Sequence, residues 1–172
     1  TELRGEKKAQ YVKYEDIPAE FVSAMVSIED KKYYNHKGVD YKAFFRAAKA
    51  ILQDRKISQG GSTITQQLAR NLYLSSERSI NRKIKEAYYT VILEHDLSKK
   101  QILEAYLNTI YLGYNSSGVQ AASKAYFGAD MKDLSVAQCA VLASIPKSPN
   151  SNAPIKKMEK GKTYWTIEHP GL

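Results

Sequence analysis

A single cysteine, Cys139, excludes an intrachain disulfide framework and any cysteine-based zinc site. Histidine is scarce as well: His36, His95 and His169 are scattered, which argues against a histidine-rich metal centre. No apolar run approaches the ~20 residues a membrane span needs, and no signal peptide is visible. Acids are in deficit, 18 Asp and Glu against 26 Lys and Arg, and the net charge of +8 points to an anionic partner: nucleic acid, a phosphorylated ligand or an anionic membrane face. The 172 residues suit one domain, or one with a tail, and 43% hydrophobic content is enough to bury a core. The chain opens on Thr1 rather than Met, as expected of an excised domain whose targeting segment lies elsewhere.

The positive charge is concentrated. Nine basic residues between Arg46 and Glu86 face three acids there, which places +6 in under a quarter of the chain. Hydrophobic periodicity is helical almost throughout, predicting a mainly α fold with no sheet. Asp16 is expected to cap a first helix running to about Tyr34, with Phe21, Val22, Met25 and Ile28 on one face. Tyr41 to Asp54 forms an amphipathic segment with basic flanks. Ser62 or Thr63 starts the next helix, and Ser79 opens a long one to about Leu97, with Ile80, Ile84, Ala87, Val91 and Tyr88 turned inward. Ser98–Gln101 and Ser135–Gln138 are capping boxes, and Gly128 suits a left-handed helix stop. Residues 156–172 have no clear period and read as a linker or tail after a domain spanning 1–155.

Three polar clusters interrupt these helices. Glu29-Asp30-Lys-Lys-Tyr33-Tyr34-Asn-His36-Lys-Gly38 gathers acids, aromatics, His and Gly; read alone, it is a helix terminus with a local ion pair. Gly60-Gly61-Ser62-Thr63-Ile-Thr-Gln66-Gln67-Leu-Ala-Arg70-Asn71 exposes backbone N–H groups and hydroxyls at a helix start, where anions bind; alone, it is equally a well-capped helix. It is neither a Walker loop nor a dinucleotide fingerprint. Arg78-Ser79-Ile-Asn-Arg82-Lys83-Ile-Lys85-Glu86 clusters cations around an acid, and Arg82 with Glu86 at i,i+4 is also an ordinary surface pair.

Together, in this order, the three resemble the first motifs of the family 51 peptidoglycan glycosyltransferases, the polymerase domains of class A penicillin-binding proteins and monofunctional transglycosylases. Ile-Leu-Glu-Ala-Tyr-Leu-Asn at 102–108, running on to Gly113, and Gly118–Gly128 are similar to the fourth and fifth motifs, so the resemblance covers about residues 14–150. The departures are small. Tyr33 stands where Phe is usual, Arg70 where Lys is common, and Asn152 where an aromatic is expected.

The resemblance implies a lysozyme-like, mainly α single domain with a small, mobile, membrane-facing jaw over 39–58. It implies polymerisation of lipid II into glycan strands, with Glu29 as general base for the acceptor hydroxyl. Arg70, Arg78, Arg82 and Lys83 would stabilise the departing undecaprenyl pyrophosphate, while Asp30, Ser62, Thr63, Gln66, Gln67 and Asn71 line the groove. Glu86 would orient those cations or a divalent metal, Mg or Mn; no cofactor is expected to be tightly bound. The implied partners are lipid II, the growing strand, the membrane surface, moenomycin-type inhibitors and, in a full-length protein, a fused transpeptidase domain, with no nucleic acid. The implied place is the outer face of the bacterial cytoplasmic membrane, held by an anchor outside these residues.

Two other readings compete. A muramidase or lytic transglycosylase would share fold and substrate, but the Gly60–Asn71 block and the cations argue against it. A non-catalytic binder of anionic lipid or nucleic acid would suit the charge and the 13 tyrosines, yet these are spread over many segments rather than forming a stacking platform. Liposomes are expected to protect residues 39–58 from protease, read by mass spectrometry of the fragments; equal cleavage with and without lipid counts against a membrane-facing jaw.

Overall fold

The computed structural model describes residues 10–40, 62–74, 79–159 and 162–166. Most of the expected jaw, from Tyr41 onward, lies outside them, as does Arg78. Among the described residues, six helices of nine residues or more carry the fold: α1 (Ala19–Glu29), α2 (Ile64–Tyr73), α3 (Ile80–Asp96), α4 (Lys99–Thr109), α5 (Val119–Phe127) and α6 (Val136–Ser144). Short 3₁₀ turns at Tyr14–Asp16 and Tyr33–Asn35 bracket α1, so this helix is shorter than its periodicity suggested. Pro18, which lacks an N–H to bond, precedes its first turn, and Asp30 closes it in a non-helical conformation.

The capping boxes form as written in the sequence. Ser98 and Ser135 each accept the N–H three residues on, and Gln101 and Gln138 return the bond. Gly128 stops α5 at φ 68°, in the left-handed conformation that costs a glycine least.

Packing follows the apolar faces for α1, α2, α4, α5 and α6. The helix α2 packs on both α3 and α4, and α1 lies on α6. Phe21, Met25, Ile64, Leu68, Ile102, Leu103, Leu107 and Leu142 are fully enclosed. On α4, Glu104 and Asn108 are neighbours one turn apart, and they hold the N-terminal strand-like segment. Asn108 accepts the Val12 N–H at 2.9 Å and donates to the Val12 carbonyl at 2.9 Å, while Glu104 accepts the Tyr14 N–H at 2.6 Å.

Four expectations need correction. Asp16 does not cap α1: it ends the preceding 3₁₀ turn, and Pro18 holds the cap position with no side-chain bond. Ile84, Tyr88 and Val91, expected inward, are 63%, 63% and 62% exposed, and Ala87 is exposed with them. The inner face of α3 is instead Glu86, Thr90 and Leu93, because this helix turns its charged groove-building side toward α2. Ile28 is also 46% exposed, since α1 ends one residue later and its last turn rotates Glu29 and Asp30 toward α2 instead. Finally, part of the segment read as a tail pairs as an antiparallel hairpin, β1 (Ile155–Glu159) with β2 (Lys162–Thr166), Lys157 opposite Tyr164. Thr163, Tyr164, Trp165 and Thr166 favour a strand, but five residues are too few for alternation to announce one.

Two of the sequence departures acquire partners. The Tyr33 ring is fully buried, and the hydroxyl that a Phe would lack donates to the Lys99 carbonyl at 2.7 Å. Burial, followed by the charge of Glu94, pushes the Tyr33 phenol far above the ordinary tyrosine range, so it stays a donor. Asn152 donates to the Ser144 carbonyl at 2.8 Å, closing the end of α6 as a phenylalanine could not.

Gly118 enters α5 at φ 86°, and a Cβ there would lie 2.7 Å from the Asn108 carbonyl oxygen. Backbone cannot yield as a side chain can. Gly118→Ala is therefore expected to lower the unfolding free energy by about 2 kcal/mol or more in urea titration; a loss below about 0.5 kcal/mol would show that the α4–α5 junction is not tight.

Candidate active site

The site is assembled where the end of α1 meets the start of α2. Asp30 is buried, and both its oxygens lie 2.9 Å from Nε2 of His36. Its Oδ2 also accepts the Ile64 N–H at 3.1 Å, one of the donors that a helix N-terminus leaves unpaired. A carboxylate there is favoured by the helix dipole as well. One side chain thus ties the two helices together across 34 positions of sequence.

Thr63 completes the joint. It caps α2 by accepting the Gln66 N–H, Gln66 returns the bond to the Thr63 N–H at 3.0 Å, and the threonine hydroxyl donates to the Gly38 carbonyl at 2.5 Å. Gly38 sits at φ 83°, where a Cβ would come within 2.6 Å of the Thr90 side chain; only glycine lets this turn approach α3 so closely. Asp30, Thr63 and Gln66, all expected to line the groove, are therefore engaged in holding the frame.

The next residue along α2 faces the groove. Gln67 donates through Nε2 to Oε2 of Glu29 at 2.9 Å, and its Oε1 accepts the Tyr106 hydroxyl at 3.2 Å. Glu29 is half-buried at the last position of α1. The sequence offered no sign of Tyr106 in this role, because its spacing on α4 is that of any core residue.

The cations converge on Glu86, whose carboxylate is almost wholly enclosed. Lys83 pairs with its Oε1; Arg82 lies 3.8 Å and Arg70 4.0 Å from its Oε2. The Lys83 ammonium also reaches the Ser62 hydroxyl at 3.4 Å, so the start of α2 and the start of α3 share one positively charged wall. Asn71 is exposed beyond it. Three cations bring two more positive charges than Glu86 can neutralise, and this surplus is what an anion would meet.

The residues around Glu86 do not fit a divalent metal. Its neighbours are three cations, and among the described residues no three His, Cys, Asp or Glu side chains gather to hold an ion. A dication there would meet repulsion from each of them.

The chain that builds this arrangement has relatives in sequence. The family model for Transglycosylase matches residues 1–168. This chain belongs to the transglycosylase family. Penicillin-binding protein 1A of Vibrio cholerae is 48% identical over 156 residues, covering 91% of this chain and 19% of that protein. Penicillin-binding protein 1A of Escherichia coli is 47% identical over 156 residues, and penicillin-binding protein 2D of Bacillus subtilis 48% over 158, with 18% and 23% of those proteins covered. The chain spans about a fifth of the length of these curated relatives. Among the described residues of this transglycosylase domain, no helix is long and apolar enough to cross a membrane.

Removing the acid from the cationic wall gives a test of how it is held. The partners of Glu86 are 20–50% exposed, so water can solvate them once the carboxylate is neutral. Glu86→Gln is expected to cost about 1–2 kcal/mol in urea unfolding, less than breaking a fully enclosed ion pair. A loss above about 4 kcal/mol would mean that the cations are locked away from solvent.

Proposed function

We propose that this transglycosylase domain polymerises lipid II into peptidoglycan strands at the outer face of the cytoplasmic membrane. The 4-hydroxyl of an acceptor sugar attacks the anomeric carbon of a pyrophosphate-linked donor strand from the opposite face. The acceptor O–H bond breaks, and its proton passes to Oε1 of Glu29, while Gln67 holds Oε2. The bond from the anomeric carbon to the pyrophosphate oxygen breaks at the same time, and its electron pair leaves on the phosphate with inversion at carbon.

The single observation that carries this reading is the pairing of one groove-facing carboxylate with a wall of three cations around a buried acid. Pyrophosphate is a stable leaving group once its charge is met, so Arg70, Arg82 and Lys83 can take the place of a proton donor. Arg78, outside the described residues, adds a fourth cation by its place in the third motif. Bidentate guanidinium contacts from Arg70 grip phosphate oxygens with a geometry that a lysine lacks.

A hydrolase makes different demands. Cleavage of finished glycan needs a second carboxyl to protonate the leaving sugar oxygen, set about 6.5–9.5 Å from the first in an inverting enzyme. Glu86 is the second acid of the motifs, but it is enclosed behind Lys83, Arg82 and Arg70, out of reach of a leaving sugar oxygen.

The polyprenyl chain of the donor requires a lipid surface, and the proposal includes a membrane-facing jaw at 39–58, growing glycan as product and moenomycin-type phosphoglycolipids as competitors. A transpeptidase domain in the same polypeptide would cross-link the strands. With lipid II in detergent, wild type is expected to give glycan product on a gel, and folded Glu29→Gln to lose at least about a hundredfold in rate. Equal product from both would remove Glu29 as the base, and release of sugars from finished cell wall would favour the hydrolase.

A further inference from the structure

The side-chain amide of Gln67 has two ends, and each has a partner. Nε2 donates to Glu29 at 2.9 Å; Oε1 accepts the hydroxyl of Tyr106 at 3.2 Å. Tyr106 is completely enclosed, and its ring has no room to turn away. Burial, followed by the negative charge of Glu29, raises its pKa well above that of an ordinary tyrosine, so the phenol keeps its proton.

We propose that Tyr106 is a positioning residue for the base: by pinning Oε1 of Gln67, it forces the amide to present its N–H end to Glu29. This inference rests on the reading of Glu29 as the base. A carboxylate only accepts hydrogen bonds, whereas a carboxylic acid also donates one. Each turnover converts Glu29 from the first to the second. An unpinned amide would rotate and offer Oε1 to the newly formed O–H, stabilising the protonated base and slowing its return. With Tyr106 in place, the amide favours the carboxylate throughout the cycle.

The other charged or titratable groups around this relay come from two elements. Asp30, with its partner His36, stands at the α1 end, and Arg70 faces Tyr106 from α2. Tyr106→Phe changes none of them, because it removes one oxygen and keeps the ring.

The experiment uses protein with ¹³C-labelled glutamate carboxyls, the Glu29 signal being assigned by its absence in Glu29→Gln. In Tyr106→Phe, the Glu29 titration is expected to move about half to one pH unit upward, the equivalent of one modest hydrogen bond. The acid limb of the kcat/KM profile moves with it. In a Gln67→Ala background, Tyr106→Phe is expected to shift nothing further, since the relay is already broken. An unmoved titration in Tyr106→Phe overturns the proposal, as does a shift that persists without Gln67. Polymerisation by wild type with an unmoved titration would sink the relay and keep the proposed function; a moved titration with no polymerisation by wild type would do the reverse.

Discussion

The carboxylate of Asp30 is the fixed point of this site. It lies at the end of α1, where the helix dipole disfavours a negative charge, and it is buried, where an unpaired carboxylate would cost several kcal/mol. Both costs are offset by what it binds: the His36 ring, and the free N–H of Ile64 at the start of α2. Because the two helix ends are tied at this one residue, Glu29 immediately before it meets Gln67 one turn into α2. The frame comes from Asp30, and the proposed chemistry from the residue beside it.

A second constraint shapes α3. A helix in a small domain ordinarily turns its apolar stripe inward and its charges outward. Here Ile84, Tyr88 and Val91 face out while Glu86 and Thr90 face in. Glu86 can be enclosed because Lys83, Arg82 and Arg70 surround it, and those cations can be held close together because Glu86 lies between them. Without the acid their mutual repulsion would spread them into solvent. The inverted helix therefore gives up some apolar burial to concentrate positive charge at one wall of the groove.

These two features explain which parts of the molecule were legible in the sequence. The helix starts at Thr63, Ser79, Ser98 and Ser135 were readable because a cap is a local interaction between residues three apart. The family was readable because the motifs are contiguous. The orientation of α3 was not, since periodicity finds an apolar stripe and cannot say whether core or solvent lies beneath it. Asp30 and Thr63 looked like groove residues from their motifs; that Asp30 is taken up by the Ile64 N–H, and the Thr63 hydroxyl by Gly38, depends on contacts between segments 34 and 25 residues apart. Tyr106 was invisible for the same reason, its one informative atom pointing at a residue 39 positions away.

The division between the two carboxylates is a matter of what each one touches. Glu86 is enclosed and faces Lys83, Arg82 and Arg70, so its service is to hold those cations together. Glu29 has the neutral amide of Gln67 for a partner and is only half-buried, which suits the proposed role of proton acceptor. The cationic wall gains from this separation. Were Glu29, the proposed base, itself ion-paired to Arg70 or Lys83, it would be a weaker proton acceptor, and the same cations would be less available to the leaving group of the proposed reaction. By giving the cations an acid of their own, the fold keeps both charges in one groove without letting them neutralise each other.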